Sequence, residues 1–241
     1  MLTLVCYNNT ITTSKDINHF NLLPQQVKWG GQIGSGTNIF CMILLYGTYE
    51  KCFSYILGKG LLPMVRHLGC IMDGNRRWAK KNNASLKNGV LEGLARIETV
   101  VDFCIGNKVE FLSLYTFSIE NLKRSLCERA CYFGVLLEYG HSIAQKMVDK
   151  NVKIRFVGHR ELFPKEIAGM CTSIEQMTSG CSGLSVQLLF CYGGKQEIVE
   201  ATKNIARAVQ QGLISTNDIT EALFKNYTWT RDMPDPELII R

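Results

Sequence analysis

From residue 61 onward, short runs rich in β-branched and aromatic residues alternate with longer stretches whose apolar residues recur at helical spacing. A chain patterned this way is constrained to a parallel sheet with crossover helices. The pattern predicts strands over Leu68–Met72, Phe111–Phe117, Val152–Val157, Leu184–Cys191 and Leu238–Ile240. Between them, Leu91, Leu94, Ile97, Val100 and Val101, and further on Tyr132, Leu136, Tyr139, Ile143 and Met147, predict amphipathic helices covering the sheet. No internal repeat is present, so residues 61–241 read as one α/β domain, a central mostly parallel sheet flanked by helices. Residues 1–60 read as an irregular N-terminal extension, poorly ordered or weakly helical, with a membrane-surface helix near 39–57 as the sharper alternative.

Composition narrows the function classes. The 241 residues, 46% hydrophobic and 20% charged, suit a globular core and exclude a disordered or low-complexity chain. The net charge of +6 suits an anionic partner. Ten cysteines include no Cys-x-x-Cys pair and no histidine at zinc-finger spacing, so neither a disulfide framework nor a zinc site is expected. Several sit in apolar runs as small hydrophobes, which favours a reducing, cytosolic compartment. The continuously apolar stretch Ile39–Tyr46 is well short of the ~20 residues a spanning helix needs, and no transmembrane helix is predicted.

The segments after the predicted strands carry the chemistry. Asp73-Gly74-Asn75-Arg76-Arg77-Trp78 comes after the first, Ser118-Ile119-Glu120-Asn121 after the second, Gly158-His159-Arg160 after the third, Gly193-Gly194-Lys195 after the fourth and Arg241 after the fifth. Parallel sheets bind ligands at the carboxyl ends of their strands, so these segments describe one rim. In the first of them glycine permits close backbone approach, arginines make forked contacts with phosphate oxygens, and a neighbouring carboxylate suits Mg²⁺. A helix cap with solvated arginines fits the same residues. Residues 64–100 hold seven Lys and Arg against three Asp and Glu, which tilts the reading to an anion site. Dinucleotide, P-loop, zincin and nucleophile-elbow motifs are absent, and no basic stripe with interleaved aromatics suggests nucleic acid. Cys127 and Cys131, at helical i, i+4 spacing, read as packing residues.

The block His67-Leu-Gly-Cys-Ile-Met-Asp73-Gly-Asn-Arg-Arg-Trp78 resembles the first signature of the cis-prenyltransferases. Phe117-Ser118-Ile119-Glu120-Asn121-Leu-Lys-Arg124 resembles the second, Tyr192-Gly-Gly-Lys a third, and Pro236-Glu-Leu-Ile-Ile-Arg241 the start of the last. The resemblance implies an undecaprenyl diphosphate synthase-like fold and an Mg²⁺-dependent enzyme. Such an enzyme condenses isopentenyl diphosphate with an allylic diphosphate of the farnesyl type in cis geometry, as a homodimer at the cytosolic membrane face, with no nucleic-acid partner. It implies that Asp73 holds the metal and assists departure of the diphosphate, and that Gly74, Asn75, Arg76 and Arg77 cradle that group. Trp78 is then expected beside the prenyl chain, Arg124 as a further phosphate contact, and Asn121, with Ser118, Ile119 and Glu120 nearby, in condensation and proton removal. Arg241 is expected to hold isopentenyl diphosphate. The inner faces of the two long helices, around Leu91–Cys104 and Tyr132–Met147, are candidate walls for an apolar tunnel, and equally for plain core.

The chain departs from the family pattern at several places. Arg76 stands where many bacterial members have glycine, Leu122 where an aromatic is common, and Leu86-Lys87 and Gly89-Val90 where an arginine and a Gly-His pair contact diphosphate. The sequence ends at Arg241, ahead of the family's Arg-x-Ser element and second metal-binding glutamate. A fragment, or a catalytically weak subunit supporting an active partner, is therefore the alternative expectation.

Overall fold

The computed structural model describes Leu4–Cys6 and residues 65–241; the expected extension, including any helix near 39–57, otherwise lies outside the described residues. The strands are β1 (Leu4–Cys6), β2 (His67–Ile71), β3 (Phe111–Ser118), β4 (Lys153–Val157), β5 (Ser185–Tyr192) and β6 (Leu238–Ile240). The α-helices are α1 (Asn75–Lys81), α2 (Leu86–Gly106), α3 (Leu126–Asp149), α4 (Lys165–Met177), α5 (Gly194–Gln210) and α6 (Glu221–Tyr227). In the sheet the order is β1-β6-β2-β3-β5-β4, with β6, β2, β3, β5 and β4 parallel and β1 antiparallel on the edge. Each predicted strand is present with its ends moved by one residue at most, while β1 has no counterpart in the sequence reading.

Local chemistry sets the helix starts. Ser85 caps α2 by accepting from the Asn88 amide, and Ser125 caps α3 by accepting from the Glu128 amide. The core lies where α2, α3 and α4 pack on one face of the sheet, around Leu112, Leu114, Val101, Met147 and Ile167. Cys104, Cys171 and Cys191 are fully buried there, and burial pushes the Cys104 thiol up to about 12.

A polar chain crosses this apolar sheet. The Gln187 amide donates to Ser113 Oγ at 2.7 Å, Ser113 Oγ lies 2.7 Å from His67 Nε2, and His67 Nδ1 lies 2.6 Å from Pro234 O. A carbonyl oxygen only accepts, so Nδ1 carries the ring proton and Nε2 accepts from the Ser113 hydroxyl. All three side chains are buried and satisfied.

The upper end of the sheet is shaped by two irregularities. At Gly158, φ is +153°, and a Cβ there would stand 1.9 Å from Phe190 O, so only glycine lets β4 end this close to β5. Cys191 has φ of +46°, and the β3–β5 register shifts between Tyr115 and Ser118. Such a bulge re-aims the next residue, here Tyr192, at the rim.

Candidate active site

Met72 extends β2 through a hydrogen bond from its amide to Tyr115 O, and Asp73 follows it onto the rim. Gly74 then turns at φ +124° into α1. Arg77, one helical turn beyond Asp73, brings Nη2 to 3.2 Å from Asp73 Oδ2, and Arg241, just past β6, donates to the same oxygen at 2.6 Å. The hydrogen bond from Arg241, the largest influence, together with the charges of Arg77 and Arg241, holds the Asp73 carboxyl below the usual carboxylate range against the opposing effect of burial. Asp73 is therefore ionised at neutral pH. Its Oδ1 has no hydrogen-bond partner among the described residues.

The other expected residues surround this centre without all touching it. Arg76 turns to Glu128 at the start of α3, 3.5 Å away. Ser118 and Asn121 cap each other's backbone at 3.3 Å in a reciprocal box at the start of the 3-10 turn Ile119–Lys123. That reciprocal cap fixes the loop after β3, with Glu120 exposed and its carboxyl lowered by its own backbone amide and the Ser118 hydroxyl. Arg124 lies over the Tyr132 ring, 5.1 Å from its centroid. Trp78 is 39% exposed. Lys87 donates to Glu138 on α3 at 2.8 Å, so its charge is engaged away from Asp73.

Beneath the rim, a cavity of about 110 Å³ runs between the sheet and helices α2 and α3. Met72, Asn75, Thr116 and Tyr132 stand at its rim end; Met147, Ile154, Met170 and Val186 line the end nearer the start of the strands. Of the helix residues singled out by periodicity, Leu94, Ile97, Val101, Tyr132, Leu136, Ile143 and Met147 line it, whereas Leu91, Val100 and Tyr139 do not. Thr116, one of its few polar residues, gives its hydroxyl to Leu189 O at 3.1 Å, so the interior stays apolar.

Two features escaped the sequence reading. Gly93 on α2 leaves room for the Asn75 carboxamide: a Cβ at Gly93 would meet Asn75 Oδ1 at 2.7 Å, and one at Gly89 would meet Asn75 O at 2.5 Å. The Gly89-x-x-x-Gly93 spacing was the available signal, because residues four apart share one helix face. Glu128, in the first turn of α3, is the partner of Arg76, and no local spacing in the sequence marks it.

An acid flanked by arginines at the mouth of an apolar cavity suits a ligand with an anionic head and a hydrocarbon tail. The family described as "Putative undecaprenyl diphosphate synthase" matches residues 71–241. The chain belongs to the undecaprenyl diphosphate synthase family. It is 34% identical over 198 residues to a geranylgeranyl-diphosphate-specific tritrans,polycis-undecaprenyl-diphosphate synthase of Pyrococcus abyssi, covering 81% of this chain and 74% of that protein. It is 35% identical over 179 residues to an isoprenyl transferase of Geobacillus kaustophilus, covering 74% and 70%. Among solved structures, a probable undecaprenyl diphosphate synthase from Campylobacter jejuni superimposes with a TM-score of 0.55 at 25% identity, covering 69% of this chain and 70% of that one. Lavandulyl diphosphate synthase from Lavandula x intermedia shares the fold, with a TM-score of 0.68 at 23% identity over 71% and 73% of the chains.

Membership makes this a prenyltransferase-family chain, and no described helix is long and apolar enough to cross a membrane. Among the described residues no group of three or more His, Cys, Asp or Glu gathers as a metal cluster.

Proposed function

We propose that the chain condenses isopentenyl diphosphate with an allylic diphosphate in cis geometry to make a polyprenyl diphosphate. The observation that carries this reading is the apolar cavity opening between Met72 and Asn75, beside the ionised Asp73 and its two arginines. The allylic head binds at Arg76 and Arg77, with Asn75, Gly74 and Arg124 at its edge, and the hydrocarbon tail enters the cavity past Tyr132 and Trp78. Arg241 takes the isopentenyl diphosphate head.

The donor set fits Mg²⁺: one carboxylate with a free oxygen is the usual protein share when substrate phosphates and water complete the shell. When bound there, the metal supplies charge neutralisation for the departing diphosphate. The residues do the rest. As the allylic C1–O bond breaks and C4 of isopentenyl diphosphate bonds to C1, Arg76 and Arg77 stabilise the charge developing on the leaving group. The C2 proton passes to an oxygen of the released diphosphate and leaves the new double bond. Asn121, fixed by its reciprocal cap with Ser118, orients the reacting groups together with Ile119 and Glu120. Farnesyl diphosphate is the first donor to test, and geranylgeranyl diphosphate the second, because a relative is specific for it. The enzyme works as a homodimer in the cytoplasm, with peripheral contact at the membrane face that receives its product.

A second reading, a weakly active subunit supporting another cis-prenyltransferase, is favoured by the engagement of Lys87 with Glu138, which withdraws one positive charge from the rim. Incorporation of labelled isopentenyl diphosphate into butanol-extractable product, with Mg²⁺ and each donor, separates the two. Product from the purified chain alone establishes the enzyme. Product only when an active family member is added establishes the supporting subunit.

A further inference from the structure

A second concavity, of about 390 Å³, opens at the ends of β4 and β5 and is bounded by Arg155, Gly158, His159, Arg160, Glu161, Glu200, Trp229 and Arg231. It occupies the β4 end of the rim, away from Asp73. Side chains alternate between the faces of a strand, and Ile154 of β4 lines the apolar cavity while its neighbour Arg155 lines this one. The site thus sits on the opposite face of the sheet. Two strands, β3 and β5, stand between β4 and β2, which puts it about 14 Å sideways from the strand carrying Asp73.

The concavity is built of groups with unequal commitments. Arg155 is paired with Asp232, and Arg160 with Glu175 and the Phe156 carbonyl. Glu200 is neutralised within α5 by Lys203 at 3.6 Å and Arg207 at 3.9 Å. Three groups remain uncommitted. Arg231 has only a 3.8 Å contact with its chain neighbour Asp232, the His159 ring has no hydrogen bond, and Glu161 has no ion pair among the described residues. The indole of Trp229 forms a wall, packed edge-on against His159 at 5.8 Å and Tyr192 at 6.1 Å.

We propose that this concavity binds a phosphate monoester carrying a flat ring, of the mononucleotide class. Arg231 and His159 hold the phosphate, Trp229 stacks the ring, and Glu161 accepts from sugar hydroxyls. The volume is within the usual range for small-ligand sites. Arg231 supports the assignment: its guanidinium lines the concavity with only a 3.8 Å contact to Asp232, whereas Arg155 and Arg160 are already paired. A forked guanidinium beside an aromatic plane is the pairing that recognises a phosphate and a base together.

The test is calorimetric titration of the full chain with adenosine monophosphate, and separately with inorganic phosphate. The expected result is saturable binding of the nucleotide, tighter than phosphate, weakened about tenfold by Arg231→Gln and unchanged by Arg77→Gln. Trp229→Leu, checked for native circular dichroism, is expected to bring the nucleotide down to the affinity of phosphate. Loss of binding in Arg77→Gln with retention in Arg231→Gln places the nucleotide at the Asp73 end of the rim and overturns the proposal. Equal affinity for phosphate and nucleotide removes Trp229 from the site and overturns the ligand class. Absence of saturable binding by either probe overturns the site altogether.

Discussion

Arg241 and Asp73 stand 168 residues apart in sequence and 2.6 Å apart in space, the first just past β6 and the second just past β2. The strands that carry them are parallel neighbours, pairing Cys70 with Ile240, so the two side chains leave the same end of the sheet together. The arginine and the acid to which the proposed function assigns the isopentenyl head and the metal are thereby held in one ion pair.

Replacing the acid is expected to stop chemistry while keeping the fold. Asp73→Asn, nearly isosteric and exposed, is expected to lower kcat by about 10²–10³-fold, the usual cost of losing one centre of charge stabilisation. Its circular dichroism is expected to match the parent, with the thermal midpoint lowered slightly by loss of the ion pairs to Arg77 and Arg241. Retained turnover removes Asp73 from the mechanism.

Removing the arginine is expected to change the acid itself. Because the Arg241 hydrogen bond is the largest influence lowering the Asp73 pKa, Arg241→Gln raises that pKa toward the ordinary value near 4. The sign comes from linkage: a depressed carboxyl pKa contributes stability above its unfolded value, lost as pH falls through the folded value. In the variant the loss begins at the same pH, set by the unfolded chain, but ends at higher pH and is smaller in total. Carboxyl-carbon NMR titration of Asp73 reads the shift directly.

Gly93 and Asn75 are expected to be coupled. Gly93→Ala forces the Asn75 carboxamide out of its place at the cavity mouth, and is expected to weaken allylic diphosphate binding about tenfold, the scale of a small overpacking cost. In an Asn75→Ala background the added methyl meets no carboxamide, so the further loss shrinks. A double-mutant cycle on the dissociation constant measures this, and additive losses refute it.

His67 is expected to make the fold acid-sensitive. Burial lowers its pKa, against the favourable hydrogen bond to Pro234 and with the charges of Lys225, Glu237 and Asp235 nearby. Below the unfolded value of about 6.5 the unfolded chain gains a proton that the folded ring resists. Stability is therefore full above that pH and declines as pH falls toward the folded value. Denaturant midpoints between pH 7 and pH 5 are expected to drop, and to drop less in His67→Gln.

Filling the cavity is expected to shorten the product. Leu136 of α3 lines the cavity, so Leu136→Trp is expected to narrow the path while leaving Asp73, Arg77 and Arg241 in place. Chromatography of the products is expected to show shorter chains, with the KM for isopentenyl diphosphate within about twofold, since no polar contact changes. Unchanged length moves the hydrocarbon path elsewhere.

The five parallel strands were legible because each is an apolar run bounded by glycine or polar residues, and the rim because those polar residues recur at every strand end. The edge strand β1 was not: three residues carry no period, and its pairing with β6 joins positions more than two hundred residues apart. Asp73 and Arg77 were legible as neighbours one turn apart, but the competition of Glu128 for Arg76 and of Glu138 for Lys87 depends on where α3 crosses, which no local spacing states. Glu197 shows the same limit. It stands in the first turn of α5, where nothing local in the sequence marks it for burial, yet it is buried, accepting from the Tyr192 hydroxyl and from the Thr230 amide at 2.9 Å.

The polar chain from Gln187 through Ser113 and His67 to Pro234 also acts on folding. Ser113 pairs in register with Gly69 on one side and Gln187 on the other. A one-residue slip of β3 would send its hydroxyl to the opposite face and abandon both partners inside the sheet. Each orphaned group costs about 1–3 kcal/mol, whereas the surrounding leucines and valines would tolerate the mispairing far better. Three hydrogen bonds thus act as a key that admits one alignment of the central strands, and they give the folding chain a means of rejecting near-native sheets that hydrophobic contact alone would accept.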